Sequence, residues 1–498
     1  MQEFMKINAA DNVAVALRDY AKGETLSVDG TEVTLAQDIA RGHKFTLTAL
    51  AEGAAVIKYG FPIGYTKEAV GKGCHIHVHN LKTGLGDDLS YEYRPTDAAG
   101  RACMLPDEDR YFMGYERADG RAGVRNELWV IPTVGCVNSV AGAIAARCQD
   151  LRRDNIEAVV AYSHPYGCSQ MGDDQENTRK ALAGLMKHPN AGGVLVLGLG
   201  CENSNIDVLK PYLGDYDESR IRFLVSQDVE DEVAEGERLL RELAGNAAKA
   251  ERTKVSVEKL VIGMKCGGSD GLSGITANPV VGELSDLVTG AGGSTILTEV
   301  PEMFGAETIL MDRCINKEVF EKTVHLINDF KDYFRRHDQT IYENPSPGNK
   351  KGGISTLEDK ALGCTQKSGS SNVVDVLTYA EPVKAAGLNL LSAPGNDLVA
   401  STALAVSGAQ IVLFTTGRGT PFASAVPTVK VSSNSQLAGR KKGWIDYDAG
   451  RLLEDGMTLE ALGLDFYEYV LRVANGEKVK SELEGYRDLA IFKQGVTL

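Results

Sequence analysis

Val194-Leu195-Val196-Leu197-Gly198-Leu199-Gly200-Cys201-Glu202-Asn203 is an apolar run that closes on glycines, a cysteine and polar residues. A short continuous apolar run without polar alternation suits a strand covered on both faces. The glycines let the chain turn sharply at its carboxyl end. The same rhythm recurs at Leu128–Val134, Ala158–Tyr162, Arg222–Val225 and Leu260–Met264, and again at Ser294–Val300, Asn389–Ser392 and Ile411–Thr415. Between these runs lie helical patterns such as Val229–Ala247, rich in Glu, Leu and Ala. Apolar strands alternating with helices predict α/β domains with mostly parallel sheets.

Residues 1–95 read differently. Short β-like pieces at 12–17, 31–35 and 44–47 are separated by turns, which predicts a small all-β module. A polar stretch rich in Pro, Asp and Gly over 96–110 reads as a linker. Two α/β domains are then expected, at 111–250 and 251–498, the second ending in helices. A chain of 498 residues is long enough for several such units.

The net charge of −15, with no long basic stretch, disfavours nucleic acid or an anionic membrane as partner. No apolar run reaches the roughly 18–20 residues needed to span a bilayer. The first residues, Met1-Gln2-Glu3-Phe4-Met5-Lys6, lack the layout of a signal peptide. Nine cysteines scattered along the chain suit reduced thiols better than a disulfide framework, so the cytoplasm is the expected compartment.

Cys74-His75-Ile76-His77-Val78-His79-Asn80 is the densest group of metal-ligand types. On a strand the three histidines share one face, so His75 and His77, joined by His43, are candidate ligands for one cation. The competing reading is surface or packing histidines on a half-exposed strand. Four glycine-flanked cysteines, Cys136, Cys168, Cys201 and Cys266, stand at or just beyond predicted strand ends, where open α/β sheets bind ligands. They suit thiolate ligands for iron, an iron–sulfur cluster, or tight-turn packing; no Cys-x-x-Cys spacing supports a cluster or zinc site. Asn344–Gly353 carries Asn349, Lys350 and Lys351 among glycines and prolines, fit for a carboxylate or for a lysine acting as acid or base. Thr415–Pro421 presents Thr416 and Arg418 as an oxyanion cradle. Gly198-Leu199-Gly200 lacks the third glycine and following acid of a dinucleotide site, so no NAD is expected.

Several of these stretches resemble a known family. Asp11–Ala16, Arg41–Lys44, Tyr59–Tyr65 and His75–Asn80 resemble the SAF domain that opens the altronate/galactarate dehydratase family. Gly114–Gly120, Gly198–Glu202, Cys266–Asp270, Thr276–Pro279, Asn344–Gly353 and Thr415–Pro421 resemble its catalytic region. The histidine triplet and the Gly-Tyr-Glu-Arg-Ala-Asp-Gly run look like the altronate branch. The resemblance implies a divalent metal, Fe2+ first and Mn2+ as the alternative. It also implies loss of water from a sugar acid, D-altronate giving 2-dehydro-3-deoxy-D-gluconate in hexuronate catabolism. Galactarate dehydration, a sulfolactate sulfo-lyase-like elimination and a non-catalytic sugar-acid binder are the alternatives. A homo-oligomer is the expected state. The roles that follow are His75 and His77, with His43, on the metal; His164 or Lys350 as base or acid; and Arg418 with Lys351 on the carboxylate, beside Asn349 and Thr416. Cys136, Cys168, Cys201 and Cys266 would line the site.

Overall fold

The computed structural model describes residues 3–86, 90–96, 105–454 and 456–498. Of the stretch read as a linker, 97–104 lies outside the described residues.

The N-terminal module is all β, and its strand pairs are antiparallel. One sheet orders β1 (Phe4–Met5), β2 (Val13–Ala16), β3 (Lys44–Thr46) and β4 (His75–Ile76) side by side. Ala14, Ala16, Leu26, Val33 and Phe45 form its own small core. Val13, Val15, Val56 and Ile63 pack instead with Leu272, Ile275, Ala361 and Leu362 of the C-terminal domain. A module this small buries little by itself, so much of its apolar face is stabilised by docking.

The middle domain carries a parallel sheet of β5 (Glu127–Pro132), β6 (Val159–Ala161), β7 (Ala191–Gly198) and β8 (Ile221–Val225), in the order β6-β5-β7-β8. Its helices are α1 (Asn138–Arg147), α2 (Gly172–Met186), α3 (Ile206–Leu213) and α4 (Glu232–Ala247). Both faces of β7 are buried along its whole length, as its unbroken apolar run requires. The order reverses beside β5, which makes the carboxyl edge there a switch point.

The C-terminal domain has seven parallel strands: β9 (Val261–Cys266), β10 (Ser294–Leu297), β11 (Val373–Leu377), β12 (Gly387–Leu391), β13 (Ile411–Thr416), β14 (Thr428–Ser432) and β15 (Tyr447–Asp448). They lie in the order β11-β12-β10-β9-β13-β14-β15. The two α/β domains share one apolar core in which Trp129, Leu182 and Val196 meet Leu391, Leu404 and Val412. Tyr111–Glu116 pairs antiparallel with Thr253–Ser256, so strands on either side of residue 250 share one small sheet. Among the described residues no helix is long and apolar enough to cross a membrane.

One ionic group fastens the β module to the body. Asp359 accepts from Lys44 Nζ at 2.8 Å and from Lys58 Nζ at 3.0 Å, and its side chain is 0% exposed. Lys44 also donates to the Gly353 carbonyl at 2.7 Å, and Ser355 N donates to Asp359 at 3.0 Å. Burial alone would raise the Asp359 carboxyl; the two lysines hold it well below its ordinary value. Burial pushes Lys44 down to about 8 despite that carboxylate. Removing one partner of such a group leaves buried charge uncompensated, at about 3–5 kcal/mol. Asp359→Asn is therefore expected to lose about 3–5 kcal/mol in chemical denaturation. A variant within ~0.5 kcal/mol of the parent would show that the clamp does not hold the module.

Candidate functional site

The histidines meet where the β module faces the C-terminal domain. His43 precedes β3, and His75 opens β4, which pairs with β3. The strand ends at Ile76 rather than continuing through His79, because Asn80 ties a turn: its side chain accepts from His77 N at 3.0 Å and donates to His75 O at 2.9 Å. The turn still gathers the rings. Centroids lie 5.0 Å apart for His43–His75, 5.2 Å for His43–His77 and 5.5 Å for His75–His77, while His79 is exposed and reaches only His75. His43 Nδ1 and His75 Nε2 are 3.0 Å apart. Burial, then the neighbouring imidazoles, push His75 down to about 3; burial and Lys44 push His77 down to about 4. Both are held neutral, the form in which imidazole ligates metals.

The lysine loop lies against this group. Pro347–Lys351 is a single helical turn opened by Ser346, whose side chain caps Asn349 N. Asn349 is buried and structural: it accepts from Ser346 N at 3.0 Å and donates to the Ser269 carbonyl at 2.8 Å. The Lys351 carbonyl lies 3.3 Å from His43 Nε2, Ser355 Oγ is 3.3 Å from His77 Nδ1, and Lys350 is half-buried on the same turn. Close backbone approach makes this possible. Gly271 N donates to the Gly352 carbonyl at 2.7 Å, and a side chain at Gly271 or Gly353 would strike the Gly42 carbonyl.

Beside it opens a cleft of about 190 Å3 lined by Arg41, Gly42, Asp270, Gly352, Arg418 and Arg440. Arg418 is exposed, and Arg41 Nε is buried without a hydrogen-bond partner among the described residues. A buried guanidinium donor with no acceptor is poised for an anion. Thr416 stands back from the cleft: it is fully buried and its hydroxyl accepts from Gly419 N at 2.9 Å, shaping the turn that presents Arg418.

The remaining expected residues separate. His164 is buried; its Nδ1 accepts from Tyr166 N at 3.2 Å, so its Nε2–H donates to the Pro132 carbonyl at 2.8 Å. Neither nitrogen is left to exchange a proton with a substrate, which corrects the acid–base role expected of it. The four cysteines do not line one site, because they belong to two sheets. Cys136, Cys168 and Cys201 are exposed at the edge of the middle-domain sheet, whereas Cys266 is buried at the end of β9.

Cys266 joins a group that spacing along the chain did not reveal. Its sulfur is 2.9 Å from Glu302 Oε2 and 3.5 Å from Cys364 Sγ, and Cys364 Sγ is 3.1 Å from the same oxygen. The hydrogen bond with Cys364 holds Cys266 below the ordinary thiol range and pushes Cys364 above it. Burial would raise Glu302, but Lys360 and Lys367 hold it down at about 2. Among the described residues this is the one group of three Cys, His or acidic ligand atoms within 4.8 Å of one another. Its carboxylate is already paired with Lys360 at 2.7 Å.

Three family profiles cover nearly the whole chain. The altronate/galactarate dehydratase SAF domain matches residues 2–84, the second domain of D-galactarate dehydratase/altronate hydrolase matches 114–248, and the C-terminal D-galactarate/altronate dehydratase domain matches 257–497. An altronate dehydratase of Bacillus subtilis (strain 168) is 54% identical over the full length of both chains. The altronate dehydratase of Escherichia coli (strain K12) is 53% identical, again over all of both. The chain belongs to the D-galactarate/altronate dehydratase family. It is a hydro-lyase with an N-terminal SAF domain, as its sequence motifs imply. The L-threo-forming galactarate dehydratase of Escherichia coli (strain K12) is more distant, 32% identical over 95% of this chain and 93% of that one.

In this family member the buried Glu302 is the anion that neutralises Lys360. Glu302→Gln would leave that ammonium uncompensated, and a loss of about 3–5 kcal/mol in denaturation is expected. An unchanged midpoint would show that Lys360 finds another acceptor.

Proposed function

We propose that this enzyme converts D-altronate to 2-dehydro-3-deoxy-D-gluconate and water in the cleft between the SAF module and the C-terminal domain. The observation that carries the reading is the neutral triad of His43, His75 and His77 abutting the lysine loop and an arginine-lined cleft. The full-length likeness to two altronate dehydratases favours altronate over galactarate.

The triad would hold a divalent cation, Fe2+ or Mn2+, once its rings turn: as they stand, the three do not bring one nitrogen each within 4.8 Å of the others. Imidazoles bind through metal–nitrogen bonds of about 2.0–2.1 Å. The three ring centroids stand 5.0, 5.2 and 5.5 Å apart. Ser355 Oγ, against His77 Nδ1, orients that ring. When bound, the cation supplies Lewis acidity that stabilises negative charge beside the substrate carboxylate by several kcal/mol.

The protein's own groups do the rest. Arg41 and Arg418, both lining the cleft, donate to the carboxylate, and Lys351 precedes the lining residue Gly352 in the chain. Lys350 Nζ takes the C2 proton and returns it to the hydroxyl that leaves C3. The C2–H and C3–O bonds break, a C2–C3 double bond forms, and the enol tautomerises to the 2-keto acid. Such a positioned proton-transfer group contributes about 10²- to 10⁴-fold. The absence of a dinucleotide fingerprint suits a reaction without net redox change, and unpaired thiols suit the cytoplasm.

An anaerobic assay of metal-loaded enzyme is expected to give 2-keto product from D-altronate faster than from galactarate. Lys350→Met should lower kcat by about 10²- to 10⁴-fold. Ser355→Ala should weaken cation binding about 10- to 100-fold. No product from D-altronate would overturn the reading, and faster turnover of galactarate would reassign the substrate.

A further inference from the structure

The motif cysteines that the histidine cleft does not use stand together elsewhere. Cys136 follows β5, Cys168 follows β6 and Cys201 follows β7, three adjacent parallel strands. All three thiols are therefore at one carboxyl edge, astride the switch point where open sheets bind ligands. Their loops are tied to one another. Gly135 N donates to the Tyr166 carbonyl at 2.9 Å, and Asn138 Nδ2 donates to the His164 carbonyl at 2.9 Å, joining the Cys136 and Cys168 turns. Ser204 N donates to the Gly167 carbonyl at 3.0 Å, and Asn203 Oδ1 accepts from Ser169 N at 3.1 Å and from Cys168 Sγ at 3.3 Å, joining the Cys168 and Cys201 turns. Buried Glu202 fixes the third turn, accepting from Thr133 Oγ1 at 2.5 Å and from Gly200 N at 2.6 Å.

Packing does not account for these thiols. Free cysteine is among the most buried residue types, and buried Cys148 and Cys314 follow that habit. Cys136, Cys168 and Cys201 are all exposed. Each stands just before a helix: Cys136 in the turn Gly135–Val137 that enters α1, Cys168 ahead of α2 and Cys201 ahead of α3. Gln227 Nε2 donates to Cys201 Sγ at 3.6 Å, a hydrogen bond to sulfur of the kind that tunes iron–sulfur centres.

A single ion does not fit these three. Around one zinc or iron, with bonds of about 2.3 Å, three sulfurs would lie under ~4 Å from one another. The three do not form a group of ligand atoms within 4.8 Å. Thiolates on different irons of one cluster stand farther apart than thiolates on one ion. We propose that Cys136, Cys168 and Cys201 ligate a [4Fe–4S] cluster through three of its irons. The fourth iron then has no cysteine and is open to water or to the oxygens of a hydroxy acid. This centre is distinct from the histidine triad and does not rest on the reading given to that triad.

The test is anaerobic reconstitution of the full chain with ferrous iron and sulfide, followed by assay of iron and acid-labile sulfide. The expected result is about four of each per chain, with visible sulfide-to-iron absorbance. Cys136→Ser, Cys168→Ser and Cys201→Ser should each lose most of the sulfide while keeping the parent circular dichroism. Cys148→Ser and His77→Ala should keep it. Iron without acid-labile sulfide, or full sulfide in the three serine variants, would overturn the proposal. Because the readout needs no substrate, it stands or falls separately from the altronate assay.

Discussion

A carboxylate shared by two buried ammonium groups holds the molecule's working arrangement together. Asp359 lies on the C-terminal domain, and Lys44 and Lys58 lie on the β module. Lys44 follows His43 directly, so the contact that docks the module also fixes the depth at which His43 enters the interface. Ser355, whose amide joins the same carboxylate, touches His77 through its hydroxyl. The ion pairs and the imidazoles are thus two ends of one network. Desolvating three charges is costly, and the neighbouring carbonyl and amide donors and acceptors offset that cost only in one geometry.

Given that docking, the glycines become intelligible. Gly42, Gly271, Gly352 and Gly353 converge from three segments, and a side chain at Gly271 or Gly353 would strike the Gly42 carbonyl. The lysine loop can therefore approach the histidines closely enough for Lys351 O to meet His43. Arg41, one residue before this crossing, is carried to the rim of the neighbouring cleft with a donor unspent. The crossing thus brings that guanidinium donor and the imidazoles to one interface.

Much of the architecture was legible in the chain. Continuous apolar runs such as Val194–Leu199 became buried parallel strands because only a doubly covered strand satisfies such a run. The nearness of the histidines was legible in their spacing, although the strand stops at Ile76 and a turn does the gathering. What stayed hidden were partners distant in sequence. Asp359 gives no sign of meeting Lys44 and Lys58, and Cys364 sits inside a helix rather than at a strand end like Cys266. His164 looked available because it stands beside a strand end. Backbone groups within its own turn and at Pro132 take both nitrogens, which no spacing rule conveys. The absence of Cys-x-x-Cys argued against a cluster, yet strand pairing gathers Cys136, Cys168 and Cys201 from three separate turns.

The central claim is that one cation is bound where the SAF module meets the C-terminal domain. Anomalous diffraction from crystals soaked in Mn2+, recorded just above the manganese edge, tests it most directly. The account predicts a peak within bonding distance, about 2.0–2.3 Å, of ring nitrogens of His43, His75 and His77. A well-ordered crystal with no manganese at those rings, or with its manganese bound only elsewhere, would contradict it.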